Sequence, residues 1–318
     1  MRKLLLAFTL LFWTLGAWAQ SFPSQPVRIV VPFPPGGSAD VLARILQPKL
    51  NDIWKQPVLV ENKPGASANI GAAFVAKSPP DGYTLLLATP ALAVSAAVYK
   101  NLTYDAQRDL EPVAMLSVFP SVLVVHPSVP AKTPQELVAY AKANPGKLNF
   151  ASAGNLSAIR FAFEHLAQLT GIKAVHVPYK GSAPSAQAML AGESHTMMMT
   201  LVDALPHIKS GKLRALAATT INRIPEMPDL PTLAETLTPG FDYIIWHGFY
   251  VPAGTPKDVI ARLNRDVNTV LQQPDVRERL TGLGMQVRTG APELLGDYVR
   301  GEIKKWTEVG QAANIKVE

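Results

Sequence analysis

Apolar and polar positions along the chain alternate with two different periods. Short runs of aliphatic residues predict buried strands, the first at residues 27–31. Stretches with apolar residues three and four positions apart predict amphipathic helices, the first at residues 39–50. Strands and helices follow one another along most of the chain, which is typical of an α/β protein.

The remaining predicted elements follow the same rule. Further strands are predicted at residues 57–61, 83–88, 122–125, 148–151, 174–177, 196–199, 213–218 and 243–251. Further helices are predicted at residues 68–77, 133–144, 159–170, 257–272, 275–283 and 292–313. The Pro-rich segment 224–240 is expected to be irregular.

One strand–loop–helix unit occurs twice. Loop 32–38 joins the first strand to the first helix, and loop 152–157 joins strand 148–151 to helix 159–170. Both loops are rich in Gly and Ser. A helix N-terminus presents unpaired amide N–H groups and the positive end of the helix dipole, so each unit can attract an anion. One unit in each of two lobes could clamp a carboxylate, although Gly-rich turns of this kind are common in any parallel sheet.

The first residues predict a secretory signal peptide. Arg2 and Lys3 precede an apolar run at residues 4–18, and Ala17 and Ala19 stand at the −3 and −1 positions before Gln20. The run is short for a membrane span, which needs about 20 residues. We expect cleavage after Ala19 and a periplasmic mature protein; an uncleaved anchor is the alternative.

Composition narrows the class of protein. The absence of cysteine in 318 residues excludes a lipid-anchored lipoprotein and any disulfide framework. Loss of Arg2 and Lys3 lowers the basic count from 30 to 28 against 24 acidic residues, which leaves a net charge of +4. The basic residues are scattered, so nucleic-acid binding is not expected. The mature length suggests two lobes in a monomer.

The sequence contains few of the motifs that mark an enzyme. The chain has no G-x-S-x-G elbow, no phosphate-binding P-loop and no dinucleotide fingerprint, so a hydrolase is the weaker alternative. None of the six histidines lies at metal-ligand spacing. The sequence therefore predicts no catalytic residue, metal or cofactor. His247, on the strand at 243–251, could face a cleft.

Eight motifs in order carry a family resemblance. They are PFPPGGSAD at 32–40, VENKPGA at 60–66, DGYTL at 81–85, HVPYKG at 176–181, IKSGKLRALA at 208–217, PDLPT at 228–232, Trp246, and PAGTP at 252–256. With them the chain resembles the substrate-binding components of tripartite tricarboxylate transporters, a family first known as Bordetella uptake proteins. The resemblance covers nearly the whole mature chain.

The resemblance implies a type II periplasmic-binding-protein fold. In this implied fold, each of two lobes has a central mixed β-sheet flanked by helices, and the ligand cleft lies between the lobes. Residues 20–122 and 245–318 are expected to form lobe 1, and residues 123–244 lobe 2. The implied function is capture of a mono-, di- or tricarboxylate or an aromatic acid for a tripartite transporter. A periplasmic sensor that presents a bound carboxylate to a membrane signalling protein is the alternative, and neighbouring genes would discriminate the two.

The resemblance also implies the ligand-binding residues. In the first lobe these are Phe33, Gly36, Gly37, Ser38, Asp40 and Thr89. In the second lobe they are Ser152, Gly154, Asn155, Leu156, Ser157, Arg160 and Asp203.

Three positions depart from the family pattern and leave the identity of the carboxylate open. Leu156 stands where the family usually has Gly, Arg160 where it has His, and His195 where an acidic residue is common. Arg160 could bind a distal carboxylate through two hydrogen bonds. Alternatively, it could form a structural ion pair with Glu164 one helical turn later.

Overall fold

The structure is a computed structural model that describes residues 22–315. The signal peptide predicted at residues 1–19, with its cleavage site, lies outside the described residues. The strands are β1 (Val27–Val31), β2 (Val58–Asn62), β3 (Thr84–Ala88), β4 (Leu110–Val125), β5 (Asn149–Ser152), β6 (Val175–Pro178), β7 (Thr196–Thr200), β8 (Arg214–Ala218), β9 (Ile244–Pro252) and β10 (Gln286–Val287). The helices are α1 (Ser38–Trp54), α2 (Asn69–Ala76), α3 (Pro90–Val98), α4 (Pro134–Ala143), α5 (Ala158–Thr170), α6 (Ser182–Ala191), α7 (Leu201–Lys209), α8 (Leu233–Thr236), α9 (Lys257–Leu271), α10 (Pro274–Gly282) and α11 (Pro292–Ala312).

The strands form one continuous pairing path in the order β2-β1-β3-β9-β4-β7-β5-β6, and β4 also pairs with β8 and β10. Strands β2, β1 and β3 are parallel, as are β6, β5 and β7, whereas β9 and β4 run antiparallel to their neighbours. Both halves of the path are therefore mixed sheets.

Strand β4 links the two halves. Its residues from Leu110 to Pro120 pair with β9, and those from Ser121 to Val125 pair with β7 on one side and mostly with β8 on the other. A buried apolar run explains the length of the strand, because its residues from 116 to 125 are all buried. The sequence predicts a strand only at 122–125, since Pro112 and Pro120 interrupt the run.

Helices cover the faces of both sheet halves. One apolar core lies between the first half and α1, α9 and α10, and a larger one continues through α3 and α11 into the second half. The α/β architecture with mixed sheets and flanking helices is confirmed. Within the described residues no helix is both long and apolar enough to cross a membrane.

Four helices have no counterpart in the sequence prediction: α3, α6, α7 and the short α8, which lies in the segment expected to be irregular. Helix α3 has the sequence PALAVSAAV, in which small apolar residues fill every face, so no amphipathic period marks it. A start signal was nevertheless present, because Thr89 caps the helix and Pro90 occupies its first position. The same Thr-Pro pair at Thr133 and Pro134 correctly predicts α4.

Each of the six parallel strands leads into a helix at its carboxyl end, and four of these units contribute to one region. Strand β1 leads into α1, β3 into α3, β5 into α5 and β6 into α6. In open α/β sheets ligands bind at this end of the strands. The topology thus brings four helix N-termini toward one region of the molecule.

Candidate binding site

A cavity of about 730 Å³ lies where these four helices begin. Its walls come from the loops before α1 and α5, the first residues of α3 and α6, and strand β9. The lining residues are Phe33, Pro34, Pro35, Gly37, Ser38, Ala39, Ser67, Thr89, Pro90, Ala91, Ala153, Gly154, Asn155, Leu156, Ser157, Ala158, Ile159, Gly181, Ser182, Tyr243, Ile245 and His247. Within the described part of the chain, no Lys, Arg, Asp or Glu contributes to this wall.

The N-terminus of α1 opens onto the cavity without a side-chain cap. Gly37 occupies the cap position, and the first helical hydrogen bond of α1 runs from the Val41 amide to the Gly37 carbonyl. Within the described residues, the amides of Ser38, Ala39 and Asp40 have no hydrogen-bond acceptor. Three N–H donors and the positive end of a 17-residue helix are therefore free for an anion.

Asp40 supports the first loop from behind and does not line the cavity. Its carboxylate accepts hydrogen bonds from the Gly36 amide at 2.9 Å, the Asn62 side chain at 2.9 Å and Arg44 at 3.0 Å. The Arg44 hydrogen bond is the main reason that the pKa of Asp40 falls from 3.8 to about 2. Gly36 adopts φ +89°, a conformation that favours glycine, and it too lies outside the cavity wall. Asp40 thus fixes the shape of the loop.

The second loop holds itself together with its own serines. The Ser152 hydroxyl is fully buried, donates to the Gly154 carbonyl at 2.9 Å and lies 2.6 Å from His176 Nε2. Ser157 caps α5 by accepting from the Arg160 amide, and its hydroxyl donates to Gly154 at 2.9 Å. Ser157 and Gly154 line the cavity, whereas Ser152 lies beneath it.

Arg160 lies outside the cavity wall. Its Nη1 donates to the Asn155 carbonyl at 2.9 Å, and its Nε lies 3.7 Å from the Glu164 carboxylate. Of the two interpretations of Arg160, a ligand contact and an ion pair with Glu164, the structure contains the ion pair. Burial raises the pKa of Glu164 and the Arg160 charge opposes that rise. In this conformation the guanidinium supports the second loop as Asp40 supports the first.

Asp203 and His195 also lie away from the cavity. The exposed Asp203 carboxylate accepts a hydrogen bond from Thr200 at 2.6 Å. His195 Nδ1 accepts from the Asn149 amide at 3.1 Å, which ties β5 to the segment before β7.

The cavity brings together eight of the thirteen sequence-predicted site residues. These are Phe33, Gly37, Ser38, Thr89, Gly154, Asn155, Leu156 and Ser157. The other five, Gly36, Asp40, Ser152, Arg160 and Asp203, do not line it.

Three residues of the β9 segment line the cavity and are absent from that predicted set: Tyr243, Ile245 and His247. All three belong to the predicted crossing strand, and the alternation of faces along a strand was the available signal. His247 is 1% exposed. Burial lowers its pKa from 6.5 to about 3, so the imidazole is neutral at physiological pH.

Comparison with known proteins identifies the class. Residues 42–315 match the model of the family described as tripartite tricarboxylate transporter family receptor. The chain belongs to this family, which is one of receptors and not of enzymes, as the sequence predicts.

Individual relatives agree over nearly the full length. Protein BugT from Bordetella pertussis is 36% identical over 302 residues, which cover 94% of this chain and 93% of BugT. The structure of Rhodopseudomonas palustris Rpa4515 with adipate has a TM-score of 0.79 at 33% identity, covering 92% of this chain and 98% of Rpa4515. MatC from the same organism, solved with bound malate, has a TM-score of 0.77 at 34% identity, covering 91% of this chain and 99% of MatC.

Proposed function

We propose that this chain is a periplasmic solute-binding protein that captures a small carboxylate for uptake by a tripartite tricarboxylate-type transporter. The observation that carries the proposal is the uncapped N-terminus of α1, which opens onto an uncharged cavity. Similar proteins were solved with adipate and with malate, both carboxylates. The family's description as a transporter receptor favours uptake over sensing.

The donors around the cavity favour an anion over a sugar or a cation. Besides α1, helix α6 begins after Gly181 without a side-chain cap, and α5 leaves the amides of Ala158 and Ile159 open within the described residues. Aligned amides and helix dipoles stabilise negative charge at this position and repel a cation. A carboxylate also offers two strong acceptor oxygens to these N–H donors.

The rest of the cavity wall is suited to the body of the ligand. Phe33, Leu156, Ile159 and Ile245 contribute apolar side chains to the wall. The Thr89 hydroxyl caps α3 by accepting from the Ala91 amide. Because α3 begins with Pro90, which has no N–H group, its first turn contributes mainly apolar contact to the cavity. We infer that these side chains select among carboxylates, since the amides recognise the carboxylate group itself.

We propose the predicted lobes and localisation as part of the same account. Strand β4 changes partners between Pro120 and Ser121, and β9 begins at Ile244, close to the predicted boundaries at 122/123 and 244/245. The two lobes would close on the ligand about these strands. The apolar run at residues 4–18 supports export to the periplasm with cleavage after Ala19, as a monomer.

A thermal-shift screen of natively purified protein tests the proposal. Mono-, di- and tricarboxylates and aromatic acids form one arm, and neutral sugars and cations form the other. A ligand at 100 times its Kd stabilises the native state by about 2.7 kcal/mol, which is readily measured. Shifts confined to carboxylates support the proposal, whereas shifts confined to sugars or cations contradict it.

A further inference from the structure

A buried histidine connects two serines at the floor of the cavity. His247 on β9 pairs in register with Ser117 on β4, and its Nδ1 lies 3.2 Å from the Ser117 hydroxyl. On the other side of the ring, Nε2 lies 3.3 Å from the hydroxyl of Ser38, the first residue of α1. Phe119 packs edge-on against the ring at a centroid distance of 5.3 Å and fixes its plane.

Ser117 determines which ring nitrogen carries the hydrogen. This serine is fully buried, and within the described residues its hydroxyl has no side-chain partner other than His247. A buried hydroxyl hydrogen without an acceptor is costly, so the Ser117 hydroxyl donates to Nδ1. The neutral imidazole then carries its hydrogen on Nε2, which donates to Ser38 Oγ.

This donation directs the hydroxyl of Ser38. Because Ser38 Oγ accepts from His247, its own hydrogen points away from the ring, and Ser38 is exposed on the cavity wall. The open amides of Ser38 and Ala39 lie at the same helix N-terminus. A hydroxyl oriented in this way adds a donor to those amides.

We propose that the relay from Ser117 through His247 to Ser38 orients the Ser38 hydroxyl as a hydrogen-bond donor to the carboxylate of the ligand. His247 is then a positioning residue, and Ser38 contacts the ligand. The inference rests on the proposed function, since it presupposes that a carboxylate binds at α1.

Isothermal titration of wild-type protein and variants tests the relay, with hexanoate, adipate, malate and benzoate as probes. For the tightest of the four probes, we expect His247→Phe and Ser38→Ala each to weaken binding about tenfold. The double variant should also lose about tenfold, not a hundredfold, because both changes remove one hydrogen bond. His247→Gln restores an N–H donor near the Nε2 position and should bind within about threefold of wild type.

Ser117→Ala provides a second test if His247→Phe fails to fold. This substitution removes the partner of His247 Nδ1, so the His247 ring is no longer held in one tautomer, and it leaves the cavity wall unchanged. We expect carboxylate affinity to fall about threefold. The ¹⁵N resonances of His247, assigned with the His247→Gln variant, should show hydrogen on Nε2 and none on Nδ1.

The outcomes separate this inference from the function. Wild-type protein that binds none of these probes and no carboxylate in the thermal-shift screen contradicts the proposed function and the relay together. If wild type binds normally, any one of three results overturns the relay alone. These are undiminished binding by Ser38→Ala, losses that multiply in the double variant, and hydrogen on Nδ1 of His247.

Discussion

The two loops that face each other across the cavity have the same plan but use their side chains differently. Each follows a parallel strand and leads into a helix, and each has a histidine beside a serine. In the first loop that serine, Ser38, lines the cavity, whereas in the second loop Ser152 is buried and bonded to Gly154. The first loop leaves a serine hydroxyl on the cavity wall for a ligand, whereas the second uses the hydroxyls of Ser152 and Ser157 to keep its own shape.

The supports of the two loops also have opposite charge. A buried carboxylate, Asp40, accepts from the Gly36 amide in the first loop, whereas a guanidinium, Arg160, donates to the Asn155 carbonyl in the second. The comparison teaches that matching motifs on matching elements need not bind in matching ways. We expect substitutions at Gly37 and Ser38, which line the cavity, to change affinity most, and substitutions at the supporting residues of either loop to change mainly stability.

Gly37→Val should cause the largest loss of affinity. A Cβ at Gly37 meets the Pro34 carbonyl oxygen only at 3.9 Å, and φ is −75°, so the fold tolerates a side chain there. The valine would cover the open amides, and we expect titration to show binding weakened more than a hundredfold with little change in Tm. Gly36→Ala is the matched control: its φ of +89° should cost about 1 kcal/mol of stability while binding persists. Retained affinity in Gly37→Val would contradict the role of this loop.

Asp40→Ala should lower the free energy of unfolding by about 2 kcal/mol, because the Gly36 amide and the Asn62 side chain lose their acceptor. Denaturant titration measures the loss. The lowered pKa of Asp40 adds a pH signature. A carboxyl whose folded pKa is about 2 contributes stability above pH 3.8, and this contribution disappears as the pH falls toward 2. The stability gap between wild type and Asp40→Asn should therefore narrow over that window, and a gap independent of pH would contradict the account.

Ser152→Ala and Ser38→Ala should have opposite effects on stability and on affinity. Ser152→Ala removes a partner of the Gly154 amide and of His176, and we expect about 1 kcal/mol of lost stability with affinity within threefold of wild type. Ser38→Ala should show the reverse, about a tenfold loss of affinity with a smaller change in Tm than Ser152→Ala. Thermal unfolding and calorimetry on both proteins measure the pair, and equal effects of the two changes on affinity would remove the contrast between the loops.

Arg160→Ala should have the smallest effect. Loss of the hydrogen bond to Asn155 and of a partly exposed ion pair should cost about 0.5–1 kcal/mol of stability. Carboxylate affinity should stay within about threefold. Arg44→Ala, which removes an exposed partner of Asp40, is the matched change in the first loop. A dicarboxylate that loses tenfold or more in affinity for Arg160→Ala would instead show a direct contact.

Sequence patterns predict the elements of this fold more readily than the directions of its side chains. The units at β1–α1 and β5–α5 are predictable because apolar periodicity and Gly-rich turns are local signals. The directions of Asp40 and Ser152 depend in part on Asn62 and His176 from other segments, and that of Arg160 on the carbonyl of Asn155 in the loop. No period in the sequence encodes these contacts. His247 shows the opposite case: strand alternation indicates its face, but its neighbours Ser117 and Ser38 come from distant parts of the chain.

Amide chemical shifts in ¹⁵N-labelled protein test the central claim most directly. On titration with the tightest of the four carboxylate probes, we expect the amides of Ser38, Ala39 and Ala158 to shift together with one Kd. Unmoved resonances at these positions would contradict the account. So would shifts confined to the separate surface groove beside Phe74, which is lined by Arg28 and Lys77.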